Sequence, residues 1–318
     1  MPLRWPKLEF QLTADELAAR SAALAPGFRG FLADQGLPAE LSYELTGFYL
    51  PLAAWLVQQA LGSAPLIVGI NGAQGSGKST LCALLAELLE KNFACRCCVL
   101  SIDDLYLTRA ERQKLARRVH PLLATRGVPG THDVGLGLRL LEQLRTAAAD
   151  SCTLIPRFDK AADERVPERL WDVFHGRPDL ILFEGWCVGA VAQGEPELTV
   201  PANSLEETED AVKIWRCYVN QCLKEDYPPL FEQLDLLLML KIPRWEMVSR
   251  WRGHQEEQLA GRRRGSGVMK RAALQRFIMH YERLTRYQLR EMPARADLVF
   301  ELSEAQRVIR ITKKAATA

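Results

Sequence analysis

The stretch Pro65–Lys91, PLIVGINGAQGSGKSTLCALLAELLEK, limits what this chain can fold into more than any other. Leu66–Ile70 is a short apolar run of the β-branched kind that suits a buried strand. GAQGSGKS, residues 72–79, satisfies G-x-x-x-x-G-K-[ST] at every fixed position. Leu81, Leu84, Leu85 and Leu88 then fall at i, i+3, i+4 and i+7, the stripe of an amphipathic helix. A glycine-rich loop between strand and helix turns successive N–H groups and the positive helix end toward an anion. Gly72, Ala73, Gln74, Gly75, Ser76, Gly77, Lys78, Ser79 and Thr80 are the expected nucleotide-binding residues. Lys78 adds a point charge at the β- and γ-phosphates, and Ser79 supplies a hydroxyl for Mg²⁺. The other reading is a glycine-rich turn with no ligand, but motif and context are both complete. The chain is expected to bind a nucleoside triphosphate.

A length of 318 residues suits one large α/β domain, or one domain with appended helices. The hydrophobic fraction of 48% is enough for a substantial core. Forty-one basic against 39 acidic side chains leave +2, so no global field recruits nucleic acid or an anionic membrane. The eight cysteines have no zinc spacing and only five histidines accompany them, which reads as reduced, mostly buried thiols. MPLRWPKLEF lacks an apolar signal region and no stretch reaches membrane length, so a soluble, cytoplasmic protein is expected.

Residues 1–64 read as a helical appendage. Thr13 and Glu16 have the form of a capping box, with Leu12 as a possible staple. Leu41, Leu45 and Phe48, then Trp55, Leu56 and Ala60, predict helix on both sides of Pro51, which should kink or divide it. Residues 65–318 form the nucleotide-binding domain. Strands are expected at Cys97–Ile102, Cys152–Ile155, Leu180–Phe183, Leu234–Ile242, Leu298–Leu302 and Val308–Ile311. Helical stripes lie between them, one near Thr108–Val119, one on Leu136, Leu140, Leu141 and Leu144, and one running from Leu274 to Leu284. Residues 190–208 read as a surface excursion. Strand alternating with helix predicts an α/β P-loop NTPase fold, with a mainly parallel sheet, helices on both faces and an arginine-rich lid.

Ligands in such sheets collect at the carboxyl ends of strands. Asp103 and Asp104 end the second strand, where two buried carboxylates are costly unless their charge is used. Asp103 is placed to take the proton of an attacking hydroxyl and to help hold Mg²⁺. Asp104 is either an acceptor-side residue or a helix N-cap. Tyr106 either packs near the acceptor or is a core aromatic. Glu184, after an apolar run, reads as a Walker-B carboxylate reaching Mg²⁺; the alternative is a strand-end acid paired with a basic residue. His132, Arg157 and Lys160 lie in loops able to supply cations and donors to a small anionic acceptor; the alternative for His132 is a loop residue satisfied by Asp133. The basic segment from 244 to about 271 reads as a lid. In it Arg244, Arg250 and Arg252 share one possible helical face, and Arg252 is the candidate for offsetting charge on the transferring group. The plainer account pairs those arginines with Glu246, Glu256 and Glu257, and leaves Arg262–Arg264 in exposed loop.

GINGAQGSGKSTL, SIDDLYL, RGVPGTHD, PRFDK and LFEGW, in this order, resemble the D-glycerate 3-kinases of the P-loop kinase group. The likeness to uridine kinase, phosphoribulokinase and bacterial pantothenate kinase is more distant. It runs from about residue 65 to the C-terminus. It implies a five-stranded parallel sheet, a lid, ATP and Mg²⁺, the catalytic base at Asp103 and lid arginines among Arg244, Arg250 and Arg252. Leu105 stands where Phe is commoner, and PANSLE around Asn203 resembles an acceptor-side segment. The implied reaction is phosphorylation of the 3-hydroxyl of D-glycerate. The rivals are the same chemistry on uridine, pantothenate or a sugar phosphate, and a nucleotide-driven switch without an acceptor. No N-K-x-D motif in the right setting supports a GTPase, and no L-S-G-G-Q supports a transporter ATPase.

Overall fold

Burial on both faces is what lets near-continuous apolar runs form the middle of a parallel sheet. In the computed structural model, which describes residues 3–6, 13–62, 64–253 and 271–314, the runs at 66 and 180 do so. In chain order the elements are α1 (Ala14–Asp34), α2 (Leu50–Gln59), β1 (Leu66–Gly72), α3 (Lys78–Phe93), β2 (Cys97–Ser101), α4 (Arg109–Arg118) and α5 (Val134–Thr146). Then come β3 (Cys152–Ile155), β4 (Phe158–Asp159), β5 (Glu164–Arg165), β6 (Asp172–His175), β7 (Leu180–Gly185), α6 (Ser204–Glu209), α7 (Ile214–Glu225) and α8 (Pro228–Phe231). The chain continues through β8 (Leu236–Lys241), a helix α9 over residues 246–253, α10 (Arg271–Glu291), β9 (Leu298–Leu302) and β10 (Val308–Lys313).

The main sheet has the order β10-β9-β8-β1-β7-β2. Five strands are parallel, and β10 adds an antiparallel edge to the five that the resemblance implied. β1 pairs with β7 from Leu66↔Leu180 to Asn71↔Gly185 and with β8 from Val68↔Leu236. The loop after β1 therefore opens at the carboxyl edge between strands that come much later in the chain. Asp235 anchors this register, its carboxylate accepting from Ile67 N at 2.8 Å.

The expected strand at Cys152–Ile155 exists, but outside that sheet. It pairs antiparallel with β6, and β4 with β5 forms a second small hairpin, so strand and helix do not alternate throughout. Its burial alternates residue by residue, the pattern of a one-sided ribbon rather than of a central parallel strand.

Thr13 and Glu16 make the reciprocal capping box at the start of α1; Leu12 lies outside the described residues. Pro51 falls in the first turn of α2, where its missing N–H costs no helical bond, and a π-turn at Leu45–Tyr49 leads into it. Phe48 packs edge-on against Phe300 of β9 with ring centroids 5.1 Å apart, so the N-terminal helices share the apolar core of the sheet. All eight cysteines are free, and only Cys152 and Cys217 are exposed. No described helix is long and apolar enough to cross a membrane.

Candidate functional site

The loop after β1 takes the backbone its glycines allow. Gly75 has φ +79° and Gly77 φ +91°, where an L side chain is strained. A Cβ on Gly72 would meet Ser76 Oγ at 2.6 Å, and one on Gly75 would meet the Cβ of Trp251 at 2.9 Å. Helix α9 thus lies directly on the phosphate loop. Lys78 starts α3 and its Nζ donates to Ala73 O at 3.2 Å, curling across the loop.

One residue later, Ser79 Oγ donates to Glu184 Oε1 at 2.9 Å. The pairing of β1 with β7 brings these oxygens together. Glu184 is buried, and no lysine or arginine pairs with it among the described residues. Two hard oxygens at the phosphate end of the cleft fit Mg²⁺, which keeps waters and takes phosphate oxygens to complete its shell. No group of three His, Cys, Asp or Glu converges as a metal cage among the described residues.

Asp103 stands in a 3₁₀ turn at the end of β2. Its Oδ1 accepts from the Tyr106 hydroxyl at 2.7 Å and its Oδ2 from Lys160 Nζ at 2.6 Å. Burial alone would raise the Asp103 pKa, but the charge and hydrogen bond of Lys160, helped by Tyr106, hold it well below the usual carboxylate range. Reciprocally, Asp103 raises the pKa of Lys160.

These groups face one cleft of about 220 Å³. Gln74, Gly75, Gly77, Lys78, Ser79 and Thr80 form the phosphate end together with Glu184; Asp103, Tyr106, Lys160 and Arg252 also line the cleft. Gly72, Ala73 and Ser76 shape the loop from behind rather than line the cleft.

Other predicted residues stand elsewhere. Asp104 turns away, accepting from Phe158 N at 2.9 Å and from Arg157 at 3.2 Å, and Arg157 also pairs with Asp172. Asp104 is not the N-cap of the next helix; Thr108 is, in a capping box with Glu111. His132 is buried behind Tyr106, their rings stacked with centroids 4.7 Å apart, and its Nδ1 lies 2.6 Å from the Tyr227 hydroxyl. Burial pushes the His132 pKa down to about 4, so the ring is neutral at pH 7. Asp133 does not satisfy it; its Oδ1 caps α5 through Leu136 N.

Arg244 and Arg250 both pair with Glu304, at 2.5 and 3.0 Å, in the turn between β9 and β10. They do not line the cleft. The expected common face fails because Arg244 precedes α9 and Glu304 draws both side chains away, whereas Arg252 faces the loop. Glu246 approaches Arg286 instead, at 3.5 Å, and Glu256, Glu257 and Arg262–Arg264 lie outside the described residues. Asn203 caps α6 and donates to Met279 O at 2.9 Å, a structural tie to α10.

Five cleft residues had no predicted role: Arg126, Gly185, Trp186, Phe277 and Tyr281. Arg126 begins the RGVPGTHD loop, pairs with Asp163 and donates through Nη2 to Lys160 O at 3.1 Å. Trp186 donates from Nε1 to Gly127 O at 2.9 Å and meets the Tyr281 ring edge-on. The resemblance already contained RGVPGTHD and LFEGW, so Arg126 and Trp186 had a signal there; Phe277 and Tyr281 were hidden in the apolar stripe of α10.

No family model matches the chain. It is 36% identical over 207 residues to an uncharacterized kinase of Schizosaccharomyces pombe, covering 62% of this chain and 72% of the relative. The chain belongs to that family of P-loop kinases. The kinase is also 29% identical over 252 residues to the chloroplastic D-glycerate 3-kinase of Arabidopsis thaliana. That match covers 74% of this chain and 52% of the plant protein, so the kinase spans about half the length of that relative. Among solved structures, the D-glycerate 3-kinase of Cryptococcus neoformans var. grubii superposes with a TM-score of 0.68 at 24% identity, covering 82% of this chain and 97% of that one. This last likeness is one of fold. A kinase with this phosphate loop and a cleft of this size acts on a small molecule.

Proposed function

We propose that this kinase transfers the γ-phosphoryl group of ATP to the 3-hydroxyl of D-glycerate, giving 3-phosphoglycerate and ADP. The observation that carries the reading is that Asp103 shares one cleft with the phosphate loop and with the cations Lys160 and Arg126. A small acid with a free hydroxyl matches both halves: its carboxylate meets the cations while its hydroxyl meets Asp103. The names of the plant and fungal relatives support the same acceptor.

In this mechanism Lys78 and the loop amides hold the β- and γ-phosphates. Ser79 and Glu184 hold Mg²⁺, which neutralises charge on the phosphate oxygens when bound. Asp103 orients the acceptor hydroxyl and takes its proton late, because so weak a base cannot ionise an alcohol beforehand. Arg252 offsets charge as the metaphosphate-like group moves. Trp186, Phe277 and Tyr281 wall the cleft and limit the entry of water. The acceptor carboxylate is assigned to Lys160 and Arg126 rather than to His132 or Arg157, which face elsewhere. Residues 65–318 are proposed as the catalytic domain and residues 1–64 as its appendage. Eight unpaired cysteines support a reducing, cytoplasmic setting.

The test is coupled ADP release with Mg-ATP over D-glycerate, L-glycerate, uridine, pantothenate and ribulose 5-phosphate. Turnover with D-glycerate alone, and a phosphate on C3 by NMR, is the expected result. Turnover with a different member moves the acceptor assignment, and ADP release independent of any acceptor favours a switch.

A further inference from the structure

Lys160 is used twice in the site just described, and the two uses compete. Its ammonium already pairs with Asp103 Oδ2 at 2.6 Å, yet it is also a cation placed to meet an acceptor carboxylate. The geometry around it separates a fixed pivot from a mobile head. The backbone is pinned: Lys160 O accepts from Arg126 Nη2, and Asp159 Oδ1 closes the turn by accepting from Ala161 N and Ala162 N. The side chain is 60% exposed and runs along the cleft on a four-carbon stem, so the ammonium can change partners while the hairpin stays in place. Asp103 loses little orientation in such an exchange, because Tyr106 keeps its bond to Oδ1.

We propose that Lys160 is a carboxylate-sensing latch: it covers Asp103 Oδ2 in the empty site and moves to the carboxylate of a bound hydroxy acid. Asp103 is thereby opened to the acceptor hydroxyl only when that carboxylate is present. The inference rests on the glycerate kinase reading and adds to it a reason for low wasteful hydrolysis. In the transfer, the acceptor oxygen forms its bond to the γ-phosphorus as the bond to the β–γ bridging oxygen breaks. ADP leaves with that electron pair, and the hydroxyl proton passes to Oδ2. Water would make and break the same bonds and give inorganic phosphate, but water brings no carboxylate and leaves the latch closed.

The experiment measures ATP hydrolysis with no acceptor, with D-lactate, which has the carboxylate but no 3-hydroxyl, and with glycerol, which has hydroxyls but no carboxylate. In the unmodified enzyme D-lactate should raise hydrolysis on the order of tenfold, within the range a positioned base contributes, and glycerol should not. Lys160→Met should hydrolyse ATP faster than the unmodified enzyme without any addition, ignore D-lactate and show a raised KM for D-glycerate. Lys160→Arg, which keeps the charge, should restore a D-lactate response that Lys160→Met lacks. An enzyme that phosphorylates D-glycerate but whose hydrolysis ignores D-lactate would overturn the latch alone, as would basal hydrolysis in Lys160→Met at or below the unmodified rate. No turnover of D-glycerate would remove the reading beneath it.

Discussion

Ser79 Oγ and Glu184 Oε1 meet at 2.9 Å, joining the first turn of α3 to the end of β7. If this pair holds the divalent cation, Glu184→Gln should lower kcat on the order of a hundredfold, the scale of losing one preorganised electrostatic contact. It should also raise the Mg²⁺ concentration needed for half-maximal ADP release. A Mg²⁺ titration identical to that of the unmodified enzyme would remove Glu184 from the metal site.

Asp103→Asn keeps the shape of the residue and removes the proton acceptor. Its kcat should fall by about 10²–10⁴, the usual contribution of a positioned base, with the KM for ATP close to unchanged. Tyr106→Phe removes only the 2.7 Å bond to Oδ1. A hydrogen bond to a charged group is worth about 1.5–3 kcal/mol, so a loss of roughly tenfold or more is expected. Steady-state kinetics of both variants check the order; turnover of Asp103→Asn at the unmodified rate would refute the base.

Gly127 has φ +132°, and a Cβ there would sit 2.0 Å from the Tyr281 hydroxyl. Gly127→Ala should therefore cost on the order of 2 kcal/mol or more, from backbone strain and overpacking together. Gly30→Ala, in α1 with nothing within 4 Å, is the control and should be neutral or stabilising by up to about 1 kcal/mol. Urea midpoints of the two variants measure the contrast.

Burial lowers the pKa of both His132 and His280 to about 4. Above pH 6.5 each is neutral folded or unfolded. Between 6.5 and about 4 the unfolded chain takes up protons that the folded chain refuses, so stability falls as the pH falls. Each histidine should account for on the order of 3 kcal/mol over that window, with the loss levelling off below it. Urea unfolding at pH 7.0 and 4.5 measures this, and the double change His132→Gln, His280→Gln should flatten the difference.

What was legible in the sequence is what depends on short spacing. The phosphate loop, Asp103 and Glu184 each lie at or near the end of a strand, and strand ends need only local apolar patterning to be found. Arg244 and Arg250 were misplaced because the acid that holds them, Glu304, lies 60 and 54 residues away. His132 looked like a loop residue, but a backbone bridge between Tyr106 and His132 buries it as a support behind the site. Lys160 was named for the acceptor, yet its contact with Asp103 spans 57 residues and depends on a hairpin of two-residue strands, too short to show an apolar pattern. Side chains that act through distant partners leave no periodicity to read.

The central strand β1 has both its neighbours far downstream, at Leu180–Gly185 and Leu236–Lys241. A chain emerging from the ribosome therefore displays the whole phosphate-binding motif well before the strands that hold its loop open have been made. Affinity for nucleotide should appear late and abruptly during synthesis, after β8 has been added, rather than when Lys78 and Ser79 emerge. Until then the hydrogen-bonding edges of β1 are unpaired, and the interval between residues 72 and 236 is when this kinase most needs protection from aggregation.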